Sequence, residues 1–175
     1  MDYLVEAMRR GFPLDLWKMS GKEEKMIDIE ELRQINQLNH LSDDMLKRIR
    51  AITVIQKFRA GDYIYKEGDY ADSVYAIIEG KVNLDIAKKG NTKITINQLG
   101  RSRTIGLSAL LDSEQRKRIS DAKAVEDTKV FVWKSADLEK LFFEDCELGF
   151  LFIKRAASII KKRLLIKNAQ LVSSY

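Results

Sequence analysis

The sequence predicts a mainly β protein with flanking helices, organised around a small antiparallel barrel. Between residues 53 and 132, short runs of alternating apolar residues, many of them β-branched, are separated by Gly61, Gly68 and Gly80. Such runs suit a pleated sheet with one buried face, and the glycines fit tight turns. After residue 133 the apolar period becomes helical. We therefore expect N-terminal helices, then the barrel, then a long C-terminal helix.

The first 25 residues form a charged, amphipathic lead-in. They contain Pro13, the only proline of the chain, and Gly21. Both residue types interrupt helices, so we expect an N-terminal appendage over 1–25. A helical lead-in and the barrel then occupy 26–134, and C-terminal helices occupy 135–175.

Two short amphipathic helices are predicted before the barrel, over 27–35 and 42–49. Ser42 precedes two aspartates and a run with helical apolar spacing, which is typical of a helix N-cap. His40, the only histidine, falls in the loop between these helices.

Turn residues and period-two apolar residues mark the strands of the barrel. Gly61 and Gly68 are each followed by aspartate. Glycine reaches positive φ without Cβ strain, and aspartate bonds nearby backbone N–H groups, so both pairs predict turns. The clearest alternation with polar residues is that of Val82, Leu84 and Ile86.

Two helices are predicted after residue 134. Ser135 is the expected N-cap of a helix over 136–143, and a longer helix follows from about residue 146 to about residue 169. The long helix carries two apolar stripes, which need two covering surfaces. One consists of Phe150, Ile153, Ala157, Ile160 and Leu164, the other of Phe152, Ala156, Ile159 and Ile166. We expect the barrel to cover one stripe and a second copy, in a homodimer, to cover the other.

Length and composition fit a soluble chain of one domain, or one domain with an appendage. Among the 175 residues, no apolar run approaches the roughly 20 residues of a membrane span. Cys146 is the only cysteine, and the N-terminus lacks the charged and apolar regions of a signal peptide. We therefore expect a cytoplasmic protein without membrane contact.

Positive charge is concentrated near the C-terminus. The net charge is +5, and residues 148–175 contain no acidic residue. The basic residues there are Lys154, Arg155, Lys161, Lys162, Arg163 and Lys167. Two interpretations remain open, a solvated helix face and a contact surface for nucleic acid or an acidic partner. We expect no specific binding of duplex DNA by this chain alone, because no helix pair follows to enter the major groove.

Residues 58–84 read FRAGDYIYKEGDYADSVYAIIEGKVNL. This segment resembles the cyclic-nucleotide-binding domain family, whose barrel has the pattern F-x-x-G-(D/E)-x-I, then G-D, then an apolar strand and G-x-V. The resemblance extends more loosely from about residue 29 to about residue 165. It implies an antiparallel double-stranded β-helix, or jelly-roll, barrel and a sensor of the catabolite-activator type.

In that family a cassette that begins G-E-L-A and ends R-x-A-x-x-x-A holds the ligand phosphate. The matching residues here are 106–111 and, after a loop over 112–117, 118–124. Glycine permits close backbone approach, and arginine pairs with phosphate oxygens. Arg116 competes for the phosphate role, but alignment through 122–124 favours Arg118. The resemblance implies a ligand site of Gly106, Leu107, Ser108, Ala109, Arg118, Ile119 and Ser120.

Leu107 stands where the family's ribose-binding glutamate sits. A leucine cannot accept a hydrogen bond from a 2′-hydroxyl, so we expect weak or undetectable binding of cAMP. Ile119 lacks the hydroxyl that cGMP-selective members place after the arginine, whereas Ser120 carries one a residue later. The resemblance leaves cAMP, cGMP and other phosphate-bearing compounds open as ligands.

Catalysis and metal binding are not predicted. A metal site on such a barrel recruits several histidines, and a Ser/His/Asp set also needs one near the barrel. Cys146 lies between two acidic residues and is interpreted as structural. Barrel packing and cover of strand edges, rather than base stacking, are the interpretation for Tyr63, Tyr65, Tyr70 and Tyr75.

We therefore expect a ligand-sensing regulatory module and not an enzyme. An anion would dock between Gly106 and Arg118 and shift the long C-terminal helix, which a partner protein would read. Two alternatives remain open. One is a ligand-free barrel that acts as a structural, dimerisation or interaction module, and the other is a truncated transcription regulator.

Overall fold

The computed structural model describes residues 27–88, 92–111 and 116–172. The appendage predicted over 1–25 lies outside the described residues. The helices are α1 (Ile29–Arg33), α2 (Asp43–Ala51), α3 (Ser135–Glu144) and α4 (Cys146–Val172), with a 3-10 helix at Leu107–Leu110. The strands are β1 (Val54–Phe58), β2 (Tyr63–Tyr65), β3 (Ser73–Glu79), β4 (Val82–Ala87), β5 (Lys93–Leu99), β6 (Thr104–Ile105), β7 (Asp121–Ala124) and β8 (Thr128–Lys134).

Within the described ranges, the strands form two antiparallel sheets. One has the order β1-β8-β3-β6 and the other β2-β7-β4-β5. Period-two alternation turns one face of each sheet towards the other, and apolar residues from both sheets fill the space between them. The predicted architecture of an antiparallel barrel with flanking helices is thereby confirmed. The buried interior consists of Ile64, Tyr75, Ile77, Val82, Leu84, Ile105, Ala122, Val130 and Val132.

The helices cover the outer face of the first sheet. Because Val130 and Val132 face the interior, the alternation along β8 turns Phe131 and Trp133 outward, where both are fully buried. Trp133 Nε1 donates a hydrogen bond to Thr53 Oγ1 at 2.7 Å. The helical side of this second core includes Leu32, Leu38, Leu46, Leu138, Leu148 and Phe152.

The two predicted glycine turns are confirmed. Gly61 has φ of 92° and Gly68 has φ of 85°, both in the left-handed region that a Cβ disfavours. In each turn the following aspartate accepts a hydrogen bond from the backbone N–H three residues earlier, at 2.8 Å. These turns connect β1 to β2 and β2 to β3.

Of the two predicted helix N-caps, the structure confirms Ser42 and contradicts Ser135. Ser42 Oγ accepts a hydrogen bond from the Met45 N–H at 3.4 Å, which confirms the predicted N-cap of α2. The predicted N-cap at Ser135 is wrong, because α3 begins at Ser135 itself and Lys134 holds the cap position without a side-chain bond. Ser135 is buried, and its N–H donates to the Asp72 carbonyl at 2.8 Å.

Helix α4 packs through the stripe that contains Phe152 and Ala156, which are 0% and 5% exposed. Farther along, Ile166 of the same stripe is 48% exposed, because the helix continues beyond the elements that cover its first half. The other predicted stripe lies on the exposed side, as Phe150 and Leu164 illustrate. Within the described ranges, none of the helices has both the length and the apolar character needed to cross a membrane.

Hydrogen bonds to backbone carbonyls fasten α4 to the rest of the protein. Gln37 Nε2 donates to the Phe152 carbonyl at 2.6 Å, and Arg155 Nε donates to the Asn36 carbonyl at 2.8 Å. Both contacts join the first half of α4 to the segment between α1 and α2. A displacement of α4 would therefore break specific bonds as well as apolar contacts.

Candidate functional site

The edge strand β6 leads into a sharp left-handed turn at Gly106, followed by the 3-10 helix Leu107–Leu110. Gly106 has φ of 76°. A Cβ at this position would lie 2.7 Å from Arg118 Nη1 and 2.9 Å from the Ser73 carbonyl oxygen. Such distances are too short for a side chain, so only glycine fits this backbone. The absence of a Cβ lets Arg118 pack directly against the cassette.

Arg118 lies almost entirely inside the protein, with 3% of its surface exposed. Its Nη2 donates to the Ser73 carbonyl at 2.8 Å, and its Nη1 donates to the Gly106 carbonyl at 3.2 Å. In the described part of the chain, its buried Nε has no hydrogen-bond partner. Asp72 Oδ1 is 3.8 Å from Nη2, but Asp72 also bonds Lys134 Nζ at 2.8 Å. The guanidinium group is therefore incompletely satisfied.

Two tyrosine rings line the space beside Arg118. The guanidinium carbon lies 4.3 Å from the ring centroid of Tyr65 and 5.6 Å from that of Tyr75. These distances suit cation–π contacts. Burial raises the pKa of Tyr65 to about 12, although the charges of Arg118 and Arg163 and a backbone hydrogen bond from Gly106 act in the opposite direction. Tyr65 therefore stays neutral at ordinary pH.

Arg163 reaches this region from α4. Its Nη2 donates to the carbonyl of Thr104, two residues before Gly106, at 2.6 Å. Burial lowers the pKa of the Arg163 guanidinium, and repulsion from Arg103 adds to the effect. An arginine nevertheless remains charged. The site thus contains a positive group supplied by the long helix.

The structure brings some of the predicted site residues together and separates others. Arg118 donates to the Gly106 carbonyl, and Ser120 and Ala109 are both buried. Leu107 is also buried, but it packs among the apolar residues between the barrel and α4. Ile119 is 78% exposed, so its side chain does not join the buried group.

The competing Arg116 has a different partner. Its Nη2 bonds Glu139 Oε1 on α3 at 2.6 Å. That pairing directs Arg116 to the helix rather than to the barrel interior. Ser108 is half-buried on the 3-10 helix, and its carbonyl accepts a hydrogen bond from the Leu111 N–H.

Sequence reasoning missed three contributors to this region: Tyr65, Tyr75 and Arg163. The two tyrosines were correctly expected to pack in the barrel, but nothing in the sequence connected them with Arg118. Arg163 was one of six basic residues assigned to a solvated face or a contact surface. Its position along the helix did not predict that its side chain would bond the Thr104 carbonyl of β6.

Such a group of residues is suited to binding an anion rather than to acid–base or metal chemistry. The buried guanidinium of Arg118 beside a glycine turn favours a phosphate, and the half-buried Arg163 adds positive charge nearby. Among the described residues there is no cluster of three or more His, Cys, Asp or Glu side chains that could hold a metal ion.

Comparison with known proteins agrees with the resemblance seen in the sequence. Residues 55–145 match the family model of the cyclic nucleotide-binding domain. The Anaerobic regulatory protein of Bacillus subtilis is 25% identical over 122 residues, covering 70% of this chain and 51% of the relative. The cAMP-dependent protein kinase type II regulatory subunit of Drosophila melanogaster is 25% identical over 173 residues, covering 98% and 42%.

Structural comparison supports the same fold. A solved cyclic nucleotide-binding domain from Methylobacillus flagellatus superposes with a TM-score of 0.75 at 18% identity, and the match covers 84% of each chain. The chain spans about half the length of the curated relatives it matches. Both curated relatives described above are regulatory proteins by name. Because the family model matches just over half of the sequence, the chain belongs to the cyclic nucleotide-binding domain family.

Proposed function

We propose that this chain is a ligand-sensing regulatory module in which the phosphate of a nucleotide binds between the Gly106 turn and Arg118. The observation that carries the proposal is the burial of Arg118 with an unpartnered Nε. Burying a charged group costs several kcal/mol unless its partners compensate. A guanidinium has five N–H donors, and a phosphate supplies acceptors for those that the protein leaves unused.

The neighbouring cassette residues complete the proposed site. Gly106 lies directly against Arg118, Ser108 and Ala109 follow it in the cassette, and the buried Ser120 carries a hydroxyl. Leu107 supplies no acceptor for a ribose 2′-hydroxyl, and a buried hydroxyl without a partner costs about 1–3 kcal/mol. We therefore propose weak binding of cAMP and tighter binding of a ligand that is recognised mainly through its phosphate.

The proposed output is a shift of α4. Leu107 and Leu110 of the cassette line an apolar groove together with Ile153, Ala156 and Ile160 of α4. A ligand that moved the cassette would therefore change the surface on which the helix packs. The relatives named above are regulatory proteins by name. This supports a sensor whose ligand-bound state is recognised by a partner or through another surface of the protein.

Isothermal calorimetry with cAMP, cGMP and 5′-AMP tests the proposal. We expect at least one of these to bind the parent chain and to bind the Arg118→Gln variant at least about tenfold more weakly, as expected for a charge-assisted hydrogen bond of about 1.5–3 kcal/mol. The Arg116→Gln variant is the matched control, because it removes the same charge two residues away at a surface ion pair. Equal losses in both variants would contradict the assignment.

A variant that fails to fold would also lose ligand binding, even if Arg118 did not contact the ligand. Arg118→Lys keeps the charge but not the planar group, so it should fold and bind with intermediate affinity. Thermal unfolding of each variant, measured without ligand, verifies that the comparison is made between folded proteins. Normal folding of Arg118→Gln with undiminished binding would reject the site.

Dimerisation across α4 is a second candidate function, and it rests on the exposed stripe. Phe150, Ile153, Ile160 and Leu164 are 39–64% exposed on one side of the helix. A self-complementary apolar stripe is buried most simply in a twofold homodimer. We propose that this surface joins two copies, whether or not a ligand is bound.

A further inference from the structure

Two arginines from different parts of the fold are bound to the same short segment. Arg163 of α4 donates to the Thr104 carbonyl at 2.6 Å, and Arg118 donates to the Gly106 carbonyl at 3.2 Å. Both arginines also lie near the same tyrosine. The guanidinium carbon of Arg118 is 4.3 Å from the Tyr65 ring centroid, and the charges of Arg118 and Arg163 both oppose the rise that burial causes in the pKa of Tyr65. The two guanidinium groups thus lie close to Tyr65 and to the turn that begins the cassette.

Positive charge is in excess around this segment. Within the described ranges, no carboxylate lies within 4.0 Å of the Arg163 guanidinium. The carboxylate nearest to Arg118, that of Asp72, is already bonded to Lys134. In addition to Arg118 Nε, the buried Thr104 Oγ1 has no hydrogen-bond partner among the described residues. Thr104 Oγ1 faces the helical side of the sheet with its strand partner Ala76, whereas Arg118 Nε lies beside Tyr65 and Tyr75. The unpaired positive charge and Arg118 Nε are therefore left for a ligand to satisfy.

We infer that Arg163 is a second anion-binding residue, which with Arg118 selects a phosphate monoester carrying two negative charges over a phosphodiester carrying one. The inference rests on the proposed function of the Arg118 site. Leu107 provides no ribose acceptor, so charge becomes the main basis of discrimination. Because Arg163 belongs to α4, such a ligand would also join the long helix to the edge of the barrel.

The test compares ligands that differ by one charge. The probes are 5′-AMP, whose phosphate carries nearly two charges at pH 7.5, and its methyl phosphodiester, which carries one. By calorimetry at low salt, we expect the parent chain to bind 5′-AMP about 10- to 100-fold more tightly than the ester. Arg163→Gln should reduce 5′-AMP binding to the level of the ester and leave ester binding unchanged.

Two further variants separate charge recognition from helix docking. Lys162→Gln removes the same charge from the adjacent, exposed position of α4 and should leave the preference intact. Arg163→Lys keeps a positive charge and should retain part of the preference. A folded Arg163→Gln variant that still prefers 5′-AMP as strongly as the parent overturns the inference.

The outcomes also distinguish this inference from the proposal on which it rests. If Arg118→Gln abolishes binding while Arg163→Gln and Lys162→Gln both bind as the parent does, the Arg118 site stands and the role of Arg163 is rejected. If the parent binds neither probe, the inference about Arg163 is rejected, whatever other nucleotide the parent binds. If Arg118→Gln binds both probes as the parent does, the proposed function itself fails.

Discussion

Replacing Gly106 with alanine should destabilise the protein by displacing Arg118. The new Cβ would lie 2.7 Å from Arg118 Nη1 and 2.9 Å from the Ser73 carbonyl oxygen. Neither neighbour moves easily, because Arg118 is buried and the Ser73 oxygen belongs to strand β3. The guanidinium must therefore shift and weaken its bonds to the Ser73 and Gly106 carbonyls.

The magnitude follows from two contributions. A residue with a Cβ in the left-handed region costs about 1–2 kcal/mol. Weakening a hydrogen bond from a charged donor costs about a further 1.5–3 kcal/mol. We expect Gly106→Ala to lower the free energy of unfolding by roughly 2.5–5 kcal/mol.

Gly61→Ala is the matched control. Gly61 also has positive φ, at 92°, but a Cβ there would meet nothing within 4 Å. It should therefore cost only the backbone strain of about 1–2 kcal/mol. Urea unfolding of both variants measures the difference, which we expect to be about 1.5–3 kcal/mol. Equal destabilisation would refute the view that Arg118 is held against the cassette turn.

The remaining predictions concern the ligand, the tyrosine beside Arg118 and the exposed stripe. Because Leu107 offers no acceptor to a ribose 2′-hydroxyl, calorimetry should find that the parent binds cAMP more weakly than in the micromolar range. Micromolar or tighter binding of cAMP would contradict the interpretation of Leu107. Burial raises the pKa of Tyr65 to about 12, so the unfolding free energy should fall as pH rises from about 10 to about 12. In urea unfolding measured at several pH values, Tyr65→Phe should show a smaller fall of the unfolding free energy than the parent. An equal fall in both proteins would contradict a raised pKa of Tyr65 as its cause. Light scattering at tens of micromolar should give a dimer for the parent and a monomer for Ile160→Asp, whereas a monomeric parent would reject the interface.

Much of the fold could be predicted from the sequence because its signals are local. Val82 and Leu84 alternate with polar residues, and both lie in the barrel interior. Ser42 precedes a helical run and caps α2. Ser135 shows the limit of such signals, because its backbone N–H pairs with Asp72, far away in the sequence, and the residue enters the helix instead of capping it.

The candidate site was harder to predict from the sequence, because its residues are far apart in the chain and come together only when it folds. Arg118 was identified through a family resemblance rather than through its own spacing. Tyr63 and Tyr65 are two residues apart and should share one face of β2. A register shift between them instead leaves Tyr63 37% exposed and brings Tyr65 against Arg118. The register shift in β2 cannot be predicted from the spacing of the two tyrosines.

Arg163 illustrates the same difficulty on a helix. Its sequence neighbours Lys161 and Lys162 are also basic, and both are exposed. Which of these side chains reaches Thr104 depends on where α4 crosses the edge of the barrel. That crossing is set by the packing of Phe152 and Ala156, several turns earlier in the helix.

The proposed role of the chain is to sense a phosphate-bearing ligand through Arg118. It is tested most directly by the thermal unfolding midpoint of the parent and of Arg118→Gln across a panel of cyclic mononucleotides, cyclic dinucleotides and 5′-nucleotides. A ligand at 100 times its Kd stabilises the folded state by about 2.7 kcal/mol, which is readily measured as a shift in Tm. We predict that at least one nucleotide raises the Tm of the parent by several degrees and raises that of Arg118→Gln by about half as much or less. An equal rise in both proteins, or no rise with any member of the panel, would contradict this role.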